Sequence, residues 1–159
     1  MKRIGVFVDV SNIYYCVQRA YNKRKLDYRK YLEYVASLGE VKRAIAYGCQ
    51  IRDEAKGFIQ CLEYAGFETK FKGVKSYREE AGLRRKADWD VGIAIDIVRL
   101  VENLDIVILG TADGDLVPVV EWCIERGIKV IVFACGVSKD LKETATEFFE
   151  IPESLLEIK

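Results

Sequence analysis

Short apolar runs alternate with amphipathic stretches along the chain. The first run, residues 4–8, is apolar or Gly with β-branched positions, which predicts a strand buried on both faces. Four similar runs follow, and the third is more polar, which indicates a place near a sheet edge. The stretches between them repeat apolar residues at helical spacing. The predicted strands cover residues 4–8, 41–47, 67–74, 105–109 and 128–133, and the predicted helices cover residues 13–23, 31–39, 53–65, 89–103, 118–126 and 139–146.

This alternation predicts a three-layer α/β fold in one domain over residues 1–159. The sheet is expected to be five-stranded and mainly parallel, with helices on both faces and right-handed crossovers. Two stretches fall outside the pattern. Residues 75–87 show no apolar period, and a connection of that length is usually functional or mobile. Residues 148–151 form a short apolar tail.

Composition agrees with this picture. A chain of 159 residues that is 50% hydrophobic and 31% charged suits one soluble globular domain. It has no apolar run near the roughly 20 residues that span a bilayer, and its start lacks the pattern of a signal peptide. We therefore expect no membrane association and a cytoplasmic location. The five cysteines lie singly in apolar settings, which favours buried thiols over a disulfide framework or a zinc site.

The absence of histidine narrows the chemistry. It removes Ser-His-Asp and Cys-His catalysis, histidine acid–base pairs and histidine-ligated metals. Carboxylates remain as the groups that could carry a reaction. Lys plus Arg and Asp plus Glu both number 25, so the net charge of zero gives no overall case for nucleic-acid binding. Any such case must come from local patches.

Four acids are expected at one edge of the sheet. Asp9 ends the first strand, Asp90 lies at the start of the helix after the long connection, and Asp113 and Asp115 follow the fourth strand. Parallel α/β sheets bind ligands at the carboxyl ends of their strands. Clustered carboxylates repel one another unless a cation compensates, and oxygen ligands alone favour Mg²⁺ or Mn²⁺. Each acid on its own is equally explained as a helix cap or a favourable charge at a helix start.

Three motifs together resemble the NYN-domain family, including its LabA-like members, within the PIN-like nuclease superfamily. They occur in the family's order and span nearly the whole chain. The motifs are Val8-Asp9 with Asn12, Lys86-Ala87-Asp88-Trp89-Asp90-Val91 with Asp96, and Thr111-Ala112-Asp113-Gly114-Asp115-Leu116 with Pro118.

The resemblance implies a PIN-like, Rossmann-like fold and, in active members, Mg²⁺- or Mn²⁺-dependent ribonuclease activity. Matched by position, the acids at 9, 90 and 113 would bind metal, with Asp115 as a further member of the cluster. Asn12 would hold metal or substrate, and the hydroxyl of Thr111 would contact substrate. Asp96 matches an additional acidic position, but six helical positions turn it away from the face of Asp90.

Two departures from the family pattern are visible. Members often have Ser-Gly where this chain has Thr111-Ala112, which preserves the hydroxyl. A lysine often found three residues before the helix acid is Ala87 here, and Lys86 stands one place earlier.

A basic stretch precedes Asp90 and bears on the substrate. Residues 70–87 hold seven basic side chains against two acids, a net charge of +5, with Phe71 and Tyr77 between them. Such a stretch could clamp phosphates while Tyr77 stacks a base, although charge runs are usually solvated faces. The predicted substrate-binding cations are Lys75, Arg78, Arg84, Arg85 and Lys86. A second group that could extend this surface comprises Arg19, Lys23, Arg24 and Lys25, with Tyr14, Tyr15 and Tyr21 nearby.

Three hypotheses of function follow. The leading one is a metal-dependent endoribonuclease acting on single-stranded or structured RNA. The second is a catalytically silent RNA- or nucleotide-binding module of the same fold. The third, a phosphotransfer or phosphatase domain using Asp9, ranks last because Ser11 stands where that chemistry usually needs an acid. Homodimer formation is left open.

Overall fold

A six-stranded sheet lies at the centre of the molecule in the computed structural model, which describes residues 1–50, 55–73 and 88–158. The strand order is β3-β2-β1-β4-β5-β6, and all five pairings are parallel. This confirms the predicted parallel sheet and the edge position of the third strand. The strands are β1 (Arg3–Asp9), β2 (Glu40–Gln50), β3 (Glu68–Gly73), β4 (Ile106–Gly110), β5 (Lys129–Ala134) and β6 (Glu147–Glu150).

Helices cover both faces of the sheet. In the described residues, α1 to α3 pack along one face and α4 to α6 along the other, as right-handed crossovers require. The three-layer α/β fold class is therefore confirmed. The helices are α1 (Val10–Tyr21), α2 (Tyr28–Ala36), α3 (Ala55–Ala65), α4 (Asp90–Leu100), α5 (Val117–Glu125) and α6 (Lys139–Thr144).

Strand β1 is the most central element. Ile4, Val6, Phe7 and Val8 have no exposed surface, and Phe7 lies between Ile45 of β2 and Leu109 of β4. Burial of each such side chain contributes about 1.5–3 kcal/mol. The strand thus fixes where its last residue stands.

The sheet has one strand more than we predicted. The apolar tail pairs in parallel with β5 as β6, with Phe148 opposite Val132 and Phe149 opposite Phe133. A four-residue edge strand reading Glu-Phe-Phe-Glu has no period long enough to identify it, and only pairing with β5 makes it a strand. The five-strand prediction was wrong for this reason.

Other differences concern boundaries and one thiol. Helix α1 begins three residues before the predicted position, because Asp9 caps it and α1 starts at Val10. Cys16, Cys123 and Cys135 are buried as expected, whereas Cys61 is exposed on the outer side of α3. The start of the third predicted helix and the connection at residues 75–87 lie outside the described residues. No helix in the described ranges has both the length and the apolar character needed to cross a bilayer.

The strand order reverses between β1 and β4. From β1 the chain builds outward through β2 and β3, and it then returns to place β4 on the other side of β1. In open parallel sheets the crevice at such a reversal is the usual ligand site. The segments that leave the carboxyl ends of β1 and β4 therefore border the expected ligand site.

Candidate active site

The carboxyl end of β1 places Asp9 at the reversal point. Asp9 is the N-cap of α1, and its Oδ1 accepts a hydrogen bond of 3.1 Å from the backbone amide of Asn12. The side chain is half-buried and faces the edge where β4 also ends. Asp9 is thus a helix cap that also stands at the carboxyl edge of the sheet, and its role in a site remains a prediction.

The loop after β4 is held by two predicted site residues. Asn12 Oδ1 accepts a hydrogen bond of 2.8 Å from the amide of Ala112, which ties α1 to this loop. Thr111 has no exposed surface, and its Oγ1 accepts a 3.2 Å hydrogen bond from the amide of Asp113. Both residues therefore shape the backbone that presents Asp113.

The same loop folds so that two acids face outward together. Oδ1 of Asp113 accepts a hydrogen bond of 2.9 Å from the amide of Asp115, and Asp113 caps the short 3₁₀ helix Gly114–Leu116. Asp113 is half-buried and Asp115 is exposed. Each keeps a carboxylate oxygen that does not serve in these caps.

The start of α4 supplies the third acid. The amide of Asp90 donates a 2.8 Å hydrogen bond to Oδ1 of Asp88. Trp89 anchors this turn, because its Nε1 donates a 2.8 Å hydrogen bond to the carbonyl of Gly48 in β2. Lys72 of β3 donates a 2.7 Å hydrogen bond to the carbonyl of Asp88 and lies 4.3 Å from the Trp89 ring centroid. These contacts fix Asp90 against the β2–β3 side of the sheet.

Three of the four predicted acids come together. One carboxylate oxygen from each of Asp90, Asp113 and Asp115 lies within 4.8 Å of the other two. We call these three residues the acid cluster. Asp9 is outside this closest group, although its charge acts on Asp90. In the described ranges no ion pair of 4.0 Å or less involves the cluster.

The electrostatics of Asp90 reflect this crowding. Burial is the first cause that raises the pKa of Asp90, which reaches about 7. Burial also raises the pKa of Asp9, with the negative charge of Asp88 as a further cause, against the hydrogen bond from Asn12. The site therefore holds more negative charge than the described part of the chain balances. The negative charges that raise the pKa of Asp90 further are those of Asp113, Asp88, Asp9 and Asp115.

The donor set fits a hard divalent cation. Three carboxylate oxygens that lie within 4.8 Å of one another could reach one such ion together. All donors are carboxylate oxygens, and the chain has no histidine. A cation would also offset the repulsion that raises the pKa of Asp90. The donor set thus fits a hard divalent cation such as Mg²⁺ or Mn²⁺.

Asp96 has a different place. It is 8% exposed, and its Oδ2 accepts 2.8 Å hydrogen bonds from the Tyr47 hydroxyl and from Nζ of Lys70. Burial alone would raise the pKa of Asp96, but the hydrogen bonds from Lys70 and Tyr47 outweigh it and hold that pKa below its usual value. Asp96 therefore joins α4 to β2 and β3 and is not part of the acid cluster.

Only part of the predicted basic surface can be located. Lys75, Arg78, Arg84, Arg85 and Lys86 lie outside the described residues, so their substrate contacts stay predictions. The two described lysines of the same stretch, Lys70 and Lys72, bind Asp96 and the Asp88 carbonyl.

Sequence reasoning missed the supports of the site. Asp88 was considered only as part of the motif before Asp90, and Tyr47 and Trp89 only as parts of a predicted strand and a predicted helix. Trp89 carried a signal that could have been used, since an indole beside an acidic pair at a helix start needs an acceptor for its N–H. The pairing of Tyr47 with Asp96, 49 residues apart, carried none.

Comparisons with known proteins agree with this geometry. The family model described as NYN domain matches residues 3–154. A protein of Synechococcus elongatus named low amplitude and bright protein LabA is 25% identical over 157 residues, covering 94% of this chain and 83% of that protein. The crystal structure of a protein of unknown function from Vibrio parahaemolyticus has a TM-score of 0.89 and 31% identity, covering 98% of this chain and 96% of that chain.

NYN domains are PIN-like nucleases, which generally depend on a divalent metal and act on RNA. The family model spans almost the entire sequence, and the neighbouring crystal structure shares its fold. The acid cluster stands at the sheet edge where the resemblance of the motifs led us to expect it. The chain therefore belongs to the NYN-domain family.

Proposed function

We propose that this protein is a metal-dependent ribonuclease that hydrolyses RNA phosphodiester bonds at the acid cluster. The observation that carries the proposal is the set of three carboxylates within 4.8 Å of one another, without described basic partners, at the reversal point of the sheet. Crowding like charges is unfavourable for folding alone, so such a group is expected where charge is used. Membership of a nuclease family gives this use a definite chemistry.

The proposed ligands of the cation are Asp90, Asp113 and Asp115, with Asp9 beside them. When bound, Mg²⁺ or Mn²⁺ would neutralise charge on the phosphodiester and lower the pKa of a water molecule for attack. Asp90, which would otherwise hold a proton near neutral pH, would be kept in its ionised form beside such a cation.

Several side chains of the protein hold the reacting groups in place. Asn12 and Thr111 hold the loop that presents Asp113, so their role is to keep the carboxylates in place. Asp115, exposed at the rim, can accept a hydrogen bond from the attacking water and orient it. Asp9 keeps one oxygen for the site while the other caps α1.

RNA is the proposed partner. Its phosphates would meet the acidic edge only through the cation, so basic side chains nearby are needed to offset the remaining repulsion. The basic stretch that runs into Asp90 is the proposed source of these side chains. A single domain and a cytoplasmic location are parts of the same proposal, and the one sheet that pairs β1 with strands from both halves supports the former.

Cleavage of end-labelled single-stranded RNA and DNA tests the proposal. The purified protein is assayed with Mn²⁺, Mg²⁺ or EDTA, beside Asp9→Asn and Asp113→Asn. We expect cleavage of RNA that needs the metal and falls about 100-fold or more in Asp113→Asn, because a charge-stabilising group is removed. Glu102→Gln, which changes an exposed carboxylate ahead of β4 at the opposite edge, is the control.

The silent-module alternative predicts a different result. If RNA binds with a steep salt dependence but is never cut under any metal condition, the nuclease proposal is wrong and the binding module replaces it. Cleavage that persists in EDTA would also contradict a metal-dependent reaction.

A further inference from the structure

A groove that begins at the residues after Asp9 has no role in the function proposed so far. It has a volume of about 550 Å³. Its walls come from α1, from the connection between α1 and α2, from the start of α2, from α3 and from the C-terminal segment. This volume lies within the range of small-ligand sites. The side chains that give the groove its character are Tyr14, Tyr15, Tyr28, Phe58, Arg24 and Lys25.

The aromatic side chains form two pairs on the groove walls. Tyr14 and Tyr15 meet edge to face with ring centroids 5.3 Å apart, and Tyr28 and Phe58 do so at 5.9 Å. Tyr14 is 45% exposed and Tyr15 is 63% exposed. The core contacts of α1 come from Val10, Ile13, Cys16 and Val17 instead. Packing of the fold therefore does not explain the two tyrosines.

The groove lining also includes charged side chains. Arg24 and Lys25 are cationic and Glu157 is acidic, and Arg24 forms an ion pair with Glu153. The guanidinium of Arg24 is held by Glu153 Oε2 and the Glu157 carbonyl, each at 3.1 Å. Its Nε is buried and has no hydrogen-bond acceptor among the described residues.

The groove begins next to Asp9, the acid that lies beside the acid cluster. Val10 and Ser11 line it and directly follow Asp9 in the chain. An occupant of the groove would thus adjoin the Asp9 end of the proposed site.

We infer that this groove binds a nucleotide of single-stranded RNA next to the bond that is cut, an inference that rests on the proposed ribonuclease function. The base stacks on the aromatic walls, and Lys25 contacts a phosphate of the strand. Aromatic faces interleaved with cations are the usual surface for an unpaired strand. A peptide of apolar character would match the rings but not the cations, and would have no reason to lie beside the carboxylates.

Binding without catalysis tests the groove separately from the reaction. A fluorescent single-stranded RNA is titrated with the protein in EDTA, and anisotropy gives the Kd. We expect Tyr14→Ala and Tyr15→Ala each to raise the Kd about five-fold or more, because a lost stacking contact weakens binding by that factor. Tyr64→Ala, which removes a 91% exposed ring outside the groove, is expected to change the Kd less than two-fold.

A second pair of variants tests the contribution of the groove's positive charge. Lys25→Ala is expected to raise the Kd and reduce its salt dependence, whereas Lys42→Ala, at the other end of the sheet, is expected to do neither. Circular dichroism spectra of all variants show that each is folded. Unchanged binding in Tyr14→Ala, Tyr15→Ala and Lys25→Ala would overturn the inference.

Two further results separate the possibilities. If the wild type cuts RNA and the groove variants bind as it does, the ribonuclease proposal stands and the groove inference is wrong. If the wild type never cuts but the groove variants lose RNA binding, the groove stands as a site for single-stranded RNA, and the ribonuclease proposal, with the place of the groove beside a cut bond, fails. AMP that binds as tightly as the RNA would contradict a strand and assign the groove to a free nucleotide.

Discussion

At the scale of one residue, the ionised Asp90 carboxylate lowers the stability of the folded, metal-free protein. Its pKa of about 7, against an ordinary 3.8, means that the folded chain holds this proton more tightly than the unfolded chain. Above about pH 7 both forms are ionised and the folded protein bears the full penalty of burial and repulsion. As pH falls toward the ordinary value the penalty disappears.

Replacing Asp90 should therefore stabilise the metal-free protein at alkaline pH. The shift sets a ceiling of roughly 4 kcal/mol, and solvent screening of this half-buried group reduces it to about 1–2 kcal/mol. We expect Asp90→Asn to raise the free energy of unfolding by that amount at about pH 8 and by much less at about pH 4.5. Urea titrations in EDTA of wild type and variant measure it. An equal gain at both pH values would contradict an electrostatic penalty at Asp90.

The residues that hold the site were only partly predictable. Asn12 and Thr111 were expected near the acids from the motifs, and both are there. Their hydrogen bonds to Ala112 and Asp113 could not be predicted, since the orientation of a side chain depends on the folded loop. Asp115 belongs to the acid cluster and Asp9 does not, whereas we expected Asp9 to be a main ligand and Asp115 a further one. The reason is similar, because the tight turn after Asp113 brings Asp115 back to the cluster.

At the scale of elements, the position of the acid cluster depends most on helix α4. It begins with Asp90 and follows a long connection, so chain continuity alone does not position it. Asp96 fixes its middle to Tyr47 of β2 and Lys70 of β3, and Trp89 fixes its start to Gly48. The acid cluster therefore depends on contacts made on the far side of the helix.

Asp96 is expected to support the fold without binding the cation. Asp96→Asn should lower the free energy of unfolding by about 1–2 kcal/mol, because the charge-assisted contact with Lys70 is lost while an acceptor for Tyr47 is kept. The low pKa of Asp96 adds stability above its unfolded pKa, and this is lost as pH falls through the folded value, so the difference should shrink in acid.

Mn²⁺ affinity distinguishes this role from that of a ligand. The folded Asp96→Asn variant should bind Mn²⁺ within about two-fold of wild type, as should Tyr47→Phe. Loss of Mn²⁺ binding from a stably folded Asp96→Asn protein would make Asp96 a ligand and contradict its assignment as an anchor.

The elements themselves were largely readable from apolar periodicity. β1 was clear because five consecutive buried positions leave no other interpretation, and β4 and β5 share that character. β6 was missed because four residues at an edge have no period and gain their structure from β5. The anchoring of α4 was equally hidden, since it depends on residues far apart in the chain.

At the scale of the whole molecule, topology gathers the chemistry. The return of the chain from β3 to β4 puts Asp9, Asp90 and the loop after β4 at one edge, although they are widely separated in sequence. Because parallel strands all end there, the alternation of strands and helices was sufficient to predict where the acids meet. The alternation could not predict which three acids lie closest together, because that depends on the detailed geometry of the turns that carry them.

Mn²⁺ titration of wild type, Asp113→Asn and Glu102→Gln, with bound Mn²⁺ followed by electron paramagnetic resonance and RNA cleavage followed in the same samples, is the most direct test. We expect wild type and Glu102→Gln to bind Mn²⁺ and cut RNA with a common half-saturation, and Asp113→Asn to lose both. Cleavage that continues in Asp113→Asn, or Mn²⁺ binding that this substitution leaves unchanged, would contradict the acid cluster as the metal-dependent catalytic site.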